Sequence, residues 1–490
     1  MAAAPILSFR SDVSLVETPE SGPSAGLTIT WRRGSVTFKE LWPGVRAALR
    51  TLLAGGGTED DLGTLAVATD GVIGHAFLHH YLRWCDELGL LCYTVASNGC
   101  PLATVVPMAS GFLFSASAFG AGARFQLSRF AYCRRDGESL VLESPLSLAR
   151  TVLRGPAGAG LVAQLVQPRS PRELSATAGD VSDDTAEAFV TLLAHAGVVA
   201  EVDPDGVLAE DADSALASWE FHDLLFHARS RMGRHDNPSG ATFPFLDRMP
   251  PLPALKPAMS GHVIPLYRPD ISDLEHQDRP FTSVLEHRTS IREYGDTPIN
   301  ARQLGEFLYR VARIRSITEP DPARSRPYHT TSRPYPSGGA TYDLELYVTV
   351  QTCEGLPSGL YHYNPLDHQL HGVAARDAHI EQLLRDAQAS AALSRVPQVL
   401  ITLTSRFQRL SWKYRSIAYA TTLKNVGVLY QTMYLVATAM GLAPCALGGG
   451  NAALFAEAIG TDYCAESSVG EFALGSARET SMLDSERVSG

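Results

Sequence analysis

Near its middle this 490-residue chain stops reading as regular structure. Pro238, Gly240, Pro244, Pro250, Pro251, Pro253 and Pro257 crowd into residues 236–270. Proline has a fixed φ and no N–H to give a helix or a strand ladder, so neither element runs through such a stretch. The stretch reads as a linker between an N-terminal half and a C-terminal domain at residues 271–490. The length allows roughly two to four domains. With 45% hydrophobic residues, each half has enough apolar side chains for a core.

The N-terminal half repeats an order of elements. Leu27-Thr-Ile-Thr-Trp31 alternates as a strand does, Arg32-Arg33-Gly34 is a turn, and residues 35–38 return. A helix with Leu41, Val45, Leu49 and Leu52 follows. A second helix at 75–88 ends at Gly89, and a strand occupies 90–95. The second pass has strands at 125–133 and 139–143 about the turn 134–137. Pro145 and Pro171 open helices, a helix at 183–196 ends at Gly197, and 198–202 with 206–208 make a hairpin. This order predicts two winged-helix-like modules, residues 1–115 and 116–235.

Charge argues against nucleic acid as the partner. Net charge is −11, and from Glu173 to Ala228 there are thirteen Asp or Glu and no Lys or Arg. The recognition helix opens with Asp183-Asp184 and carries Glu187, which repels a phosphate backbone. A peptide fits better, added as a strand beside a helix groove; a scaffold or dimerisation role is the alternative. The start of the chain lacks the basic and apolar regions of a signal peptide. The charge-free stretch from Asn425 past Cys445 contains Gln431 and Pro444 and suits a buried helix, not a membrane span.

Seven cysteines without a C-x-x-C pair exclude a zinc knuckle and suit a reducing cytoplasm. His222 and His227 are five apart and share no helix face, so no metal site is expected. Gly158-Ala-Gly160-Leu-Val-Ala163 has dinucleotide-loop spacing but neither the preceding strand nor the later acidic residue. It reads as a small-residue turn.

The C-terminal part carries denser chemistry. Arg288, Ser290 and Arg292 place two guanidiniums and a hydroxyl within five residues, a set able to grip a phosphate monoester; a solvated basic turn is the alternative. Asn300 caps a helix with Leu304, Phe307, Leu308 and Val311. Arg333-Pro-Tyr-Pro-Ser-Gly-Gly-Ala340 is a loop whose bare backbone lets a planar ligand approach. Strands are expected at 344–350, 359–363, 368–373, 398–404 and 469–475. Residues 418–440 form a long helix stopped by Gly441, and Leu447-Gly-Gly-Gly-Asn451 is a second glycine loop. By themselves, Lys413-Tyr414 read as a surface lysine and a packed tyrosine.

These motifs recur in this order in one family. The C-terminal 210 or so residues resemble the FMN-dependent nitroreductase superfamily, specifically its SagB/McbC-type azoline dehydrogenases of thiazole/oxazole-modified, cyanobactin-like peptide biosynthesis. The N-terminal modules are similar to the peptide-recognition winged helices of such pathways. The resemblance implies an α+β protein: a dimeric nitroreductase-like FMN domain, with a central mixed sheet flanked by helices, behind two winged-helix-like modules.

The activity implied is oxidation of thiazolines or oxazolines to thiazoles or oxazoles in a ribosomally made peptide, with hydride passing to FMN and O2 reoxidising it. Arg288, Thr289, Ser290 and Arg292 would hold the FMN phosphate, with Arg478 as a possible second ligand. Pro336, Ser337, Gly338 and Gly339 would line the isoalloxazine from the other subunit of a homodimer. Gly448 and Gly449 would direct an N–H at the ring, and Lys413 and Tyr414 would be catalytic. A lysine partly desolvated near Arg409 and Arg415 suits a base, with Trp412 either a stacking wall or core. Implied partners are the azoline-bearing precursor peptide and a cyclodehydratase.

Two rivals remain: an NAD(P)H-dependent flavin reductase of small molecules, and a non-catalytic peptide scaffold. One count favours Lys413 as base. Only Lys39, Lys256, Lys413 and Lys424 are lysine among 41 basic residues, and arginine does not deprotonate in proteins.

Overall fold

The computed structural model describes residues 3–17, 26–114, 119–120, 122–259, 261–324 and 326–478. The chain forms two compact units, Met1–Asn237 and Pro238–Gly490.

In the first unit, β1 (Ile6–Phe9) precedes a three-stranded antiparallel wing of β2 (Ser14–Glu17), β3 (Leu27–Trp31) and β4 (Gly34–Phe38). Helix α1 (Pro43–Ala54) has no side-chain cap of its own. Asp70 of α2 (Glu59–Glu87) serves instead, accepting from the Gly44 and Val45 N–H groups at 2.7 and 3.2 Å. The expected helix at 75–88 thus begins at Glu59, behind a Thr58/Asp61 capping box, and breaks at Gly71, where φ is 68°.

Strands β5 (Leu91–Ser97) and β6 (Cys100–Pro107) follow, then β7 (Phe125–Leu127), β8 (Tyr132–Asp136), β9 (Ser139–Glu143) and β10 (Ala149–Leu153). One six-stranded sheet, in the order β1-β5-β6-β10-β9-β8, takes strands from both halves of this unit. Pro145 therefore opens no helix. The residues after it enter β10, buried between β6 and β9, and α3 (Gly155–Gln164) starts beyond.

The Gly158–Ala163 stretch lies in α3 rather than a turn. Gly158 rests on the Leu102 carbonyl, where a Cβ would overlap, so the small residue serves close helix–strand packing. Helices α4 (Pro171–Ala178) and α5 (Asp183–His195) precede β11 (Val199–Glu201), which pairs with β7. The expected hairpin at 198–208 is reduced to one bridge, Val202 to Leu208. Short α6 (Ala209–Ala212) and α7 (Ser214–Ala217) lead to α8 (Phe221–Ser230).

The second unit begins with the proline-rich stretch, which packs as part of it. Strand β12 (Gly240–Ala241) is followed by β13 (Val263–Pro265), α9 (Ile271–Gln277), α10 (Phe281–His287) and α11 (Ala301–Ala312). The Asn300 cap is a full capping box with Gln303. After the pair β14 (Ser316–Thr318) and β15 (Thr330–Ser332) come β16 (Leu344–Val350), β17 (Gly359–Asn364), β18 (Gln369–Ala375), α12 (Ala378–Ser390) and β19 (Val399–Arg406). The chain continues through α13 (Gln408–Ser411), β20 (Tyr414–Arg415), α14 (Ala418–Ala439), β21 (Leu442–Ala446), α15 (Ala452–Ile459) and β22 (Glu466–Ser476).

Seven of these strands form the central sheet, ordered β13-β18-β17-β16-β19-β22-β21. The α+β class and helix-flanked sheet are as expected. The strand directions are not mixed, because hairpins and antiparallel returns link the neighbours throughout. Alternation along β16 sends Leu346 and Val348 toward α11 and α14, and Tyr347 toward α12 and α15. The inward faces of α11 (Leu304, Phe307, Leu308, Val311) and α14 (Val426, Leu429, Met433, Ala437) complete the first core. Each large apolar side chain buried there contributes about 1.5–3 kcal/mol.

Candidate active site

Lys413 stands between α13 and β20, and the proline-rich stretch holds that turn in place. Ala241 pairs with Tyr414 across β12 and β20, and the Phe243 N–H donates to the Lys413 carbonyl at 3.0 Å. Trp412 is 2% exposed; its Nε1–H donates to the Met249 carbonyl at 2.8 Å and its ring meets Phe243 edge to face. It is a core residue and offers no stacking wall. Arg409 donates to the carbonyls of Leu252 (2.6 Å), Thr341 (3.0 Å) and His329 (3.2 Å), fastening three segments to α13. Burial, and then the charges of Arg406 and Arg333, push Arg409 down to about 10. Arg415 is exposed.

The Lys413 side chain is buried. Its Nζ donates to the Tyr328 hydroxyl and lies 4.9 Å from the Tyr414 ring centroid. Tyr328 in turn donates to the Gly339 carbonyl at 3.1 Å, and burial raises the pKa of its hydroxyl. Gly339 has a φ of 63°, and a Cβ there would overlap both Lys413 Nζ and the Tyr414 hydroxyl. An amino group, two phenols and a bare glycine thus form one compact group.

Helix α14 connects this group to a second one. The Gly338 N–H donates to Asn425 Oδ1 at 3.0 Å, and Asn425 Nδ2 donates to Asp343 at 2.7 Å. Asp343 is fully buried and also accepts from Ser405 (2.7 Å) and Thr422 (3.0 Å). Ser337 Oγ accepts from the Tyr342 N–H at 3.1 Å, while Pro336 is exposed. Nine residues further along α14, about 13.5 Å on, the Tyr434 hydroxyl bonds Ser290 Oγ at 2.7 Å and accepts from the Ala446 N–H at 2.8 Å.

The guanidinium of Arg288 lies 5.3 Å from the Tyr434 ring centroid and has no hydrogen bond or ion pair among the described residues. Thr289 is exposed. Arg292 donates from Nε to the Ala391 carbonyl at 2.9 Å. Arg478 pairs with Glu293 at 2.6 Å. Gly448 and Gly449, just past β21, are exposed, with no acceptor for their N–H groups among the described residues.

The residues singled out from the sequence therefore fall into two groups along α14. Lys413, Tyr414 and Ser337 to Gly339 form one; Ser290, Arg288 and the approach to the Gly448 loop form the other. Arg292 and Arg478 flank the second group at its surface. Three residues were missed. Tyr328 lies in a loop without a motif. Asn425 and Tyr434 did leave a signal: an amide and a phenol on a helix otherwise reading as buried.

Comparison with known proteins follows the same division. Residues 1–116 match the ThcOx helix-turn-helix domain, residues 125–236 the cyanobactin oxidase ThcOx, and residues 285–476 the nitroreductase family. A protein of Methanocaldococcus jannaschii named as a nitroreductase is 28% identical over 188 residues, 38% of this chain and 85% of that one. The microcin B17-processing protein McbC of Escherichia coli is 32% identical over 135 residues, 26% of this chain and 46% of McbC. The trifolitoxin-processing protein TfxB of Rhizobium leguminosarum bv. trifolii is 30% identical over 113 residues, 22% and 30% of the two chains. The chain thus spans less than half the length of McbC and of TfxB. Among solved structures, a nitroreductase-like protein of Ralstonia eutropha covers 47% of this chain and 98% of its own, at 21% identity and a TM-score of 0.35. The E. coli microcin synthetase McbBCD complex with truncated pro-MccB17 covers 52% and 91%, at 22% identity and a TM-score of 0.33.

The fold and the family matches define an oxidoreductase of the nitroreductase superfamily. Within that class, the two N-terminal matches place the chain beside the cyanobactin oxidase ThcOx.

Proposed function

We propose that this protein is an FMN-dependent azoline oxidase, converting thiazolines or oxazolines in a ribosomally made peptide to the aromatic azoles. The observation that carries the reading is the buried Lys413, hydrogen-bonded to Tyr328 and pressed with Tyr414 against Gly339. Aromatisation removes a proton from one ring carbon and a hydride from another. Lys413 Nζ takes the proton. Tyr328 holds that nitrogen in place, and Tyr414 orients the ring beside it.

The residues present suit FMN. Arg288 has a guanidinium without a hydrogen-bonding or ionic partner, Ser290 adds a hydroxyl beside it, and Arg292 stands two residues on. The unused amides of Gly448 and Gly449 are donors for a polar ring edge, and nothing lies within 4 Å of where a side chain would stand at either glycine. When bound, FMN supplies the hydride acceptor, with O2 as the final oxidant.

The protein works as a homodimer in which Pro336 to Gly339 reach the partner's flavin. Leu423 on α14 and Phe281 and Leu285, one turn apart on α10, are exposed apolar side chains, which supports that reading. The acidic N-terminal unit docks the precursor peptide, whose rings come from a cyclodehydratase, in the cytoplasm.

The test is mass spectrometry of a cyclised peptide incubated with the protein. A loss of about 2 Da per ring, the mass of two hydrogens, is expected. Unchanged mass, together with rapid bleaching of the yellow protein by NADPH, would favour a small-molecule flavin reductase.

A further inference from the structure

Behind the central sheet lies a small cavity that the proposed reaction does not use. Its walls include Arg333, Glu345, His362 and His371, with Lys256 of the proline-rich stretch closing it. The sheet dictates this grouping. His362 on β17 is in register with Tyr347 on β16 and His371 on β18, and Glu345 lies two residues before Tyr347, on the same face.

Most polar atoms here are satisfied. Glu345 accepts from Arg406 Nη1 at 3.2 Å and bonds His362 Nε2 at 3.1 Å. Lys256 bonds Glu466 at 2.5 Å and the Tyr347 hydroxyl at 2.6 Å. Three atoms are left without a partner: Arg333 Nη2, His362 Nδ1 and His371 Nδ1. Their residues are 4%, 2% and 5% exposed and all line the cavity. Arg333 makes only a long 3.4 Å contact from Nε to Thr331 and stacks on Tyr342; no carboxylate pairs with it among the described residues.

The local charges do not cancel. Arg333, Arg406, Arg409 and Lys256 are four cations against three carboxylates, Glu345, Asp343 and Glu466. A buried guanidinium with a free donor and no carboxylate bonded to it is costly. A neutral water would satisfy the donor and leave the surplus charge; an anion does both. The space open to the centre of a water-sized particle is about 10 Å3, room for one occupant of that order and too little for phosphate or a carboxylic acid.

We propose that this cavity binds a single monatomic anion of halide size. Arg333 Nη2–H donates to it, as does His371 in its Nδ1–H tautomer. His362 donates Nε2–H to Glu345 and, when protonated, adds its Nδ1–H to the anion.

The test uses the full-length protein. Crystals grown in sodium bromide and measured at the bromine edge should show an anomalous peak between Arg333, His362 and His371. In solution the melting temperature should be higher in sodium chloride or bromide than in sodium gluconate at equal ionic strength. It should rise by about 3–5 °C per tenfold increase in halide once the site is saturating. Arg333→Met should abolish that dependence, and His371→Phe gives a second test should the first variant not fold. Density that refines as water without anomalous signal, with equal melting in both salts, would overturn the proposal, as would a halide dependence kept in the variants.

Discussion

Lys413, the proposed base, is set by what surrounds it. Its amino group bonds one phenol, neighbours a second and lies on a glycine with no room for a side chain. Lys413→Ala should therefore retain flavin, by its absorbance, while azole formation falls by about 10²–10⁴-fold, the usual weight of a general base. Tyr328→Phe keeps the ring packing and removes only the hydroxyl. It should lower kcat with KM and flavin content unchanged, and an unaltered kcat would remove Tyr328 from the mechanism. Gly339→Ala forces a Cβ onto Lys413 Nζ at a positive φ and should cost both activity and stability, read by turnover and thermal melting. Lys413 and Gly339 were legible because a rare lysine and a glycine pair stand out in sequence. Tyr328 was not, because its position depends on a loop folding back across more than eighty residues to reach Lys413.

Among the elements, α14 does most to order the proposed site. One side chain, Asn425, bridges the Gly338 amide and the buried Asp343; nine residues on, Tyr434 bridges Ser290 and the β21 backbone. Asp343→Ala would strand the donors of Asn425, Ser405 and Thr422 and should cost about 3–9 kcal/mol in denaturant unfolding, since each unsatisfied buried group costs about 1–3 kcal/mol. The strand β16 contributes a pH-sensitive group. Burial alone would raise the Glu345 carboxyl, but the His362 bond and charge, with Arg406 and Arg333, outweigh it and hold it at about 2, against an ordinary 4.5. A depressed carboxylate stabilises the fold above its unfolded pKa. That share should be fully present above pH 4.5 and disappear as pH falls toward 2, and Glu345→Gln should flatten this acid limb of the melting curve. Elements with local signals, such as the capped α11 and the alternating β16, were readable in sequence. The strand β10 was not: its place between β6 and β9 is a long-range pairing, and a proline just upstream gave the opposite local cue.

For the whole molecule, the exposed apolar side chains of Phe281 and Leu285 on α10 and Leu423 on α14 bear on the proposed assembly. Leu423→Arg should convert the proposed dimer to a monomer in light scattering and lower flavin occupancy with it; a variant that stays dimeric would move the interface elsewhere. The proline-rich stretch shows why composition misled here. Prolines keep it from being a helix, yet nothing in them reveals that its carbonyls accept from Arg409 and Trp412 and that its lysine meets Glu466. The N-terminal unit has a different lesson in its six-stranded sheet, where β6 and β10, one from each flanking family match, lie side by side along five residue pairs. The two matched segments are therefore joined through one shared sheet. A chimaera grafted between residues 116 and 125 would tear that fabric and expose two raw strand edges, whereas a seam at 237–238 would leave both parents whole.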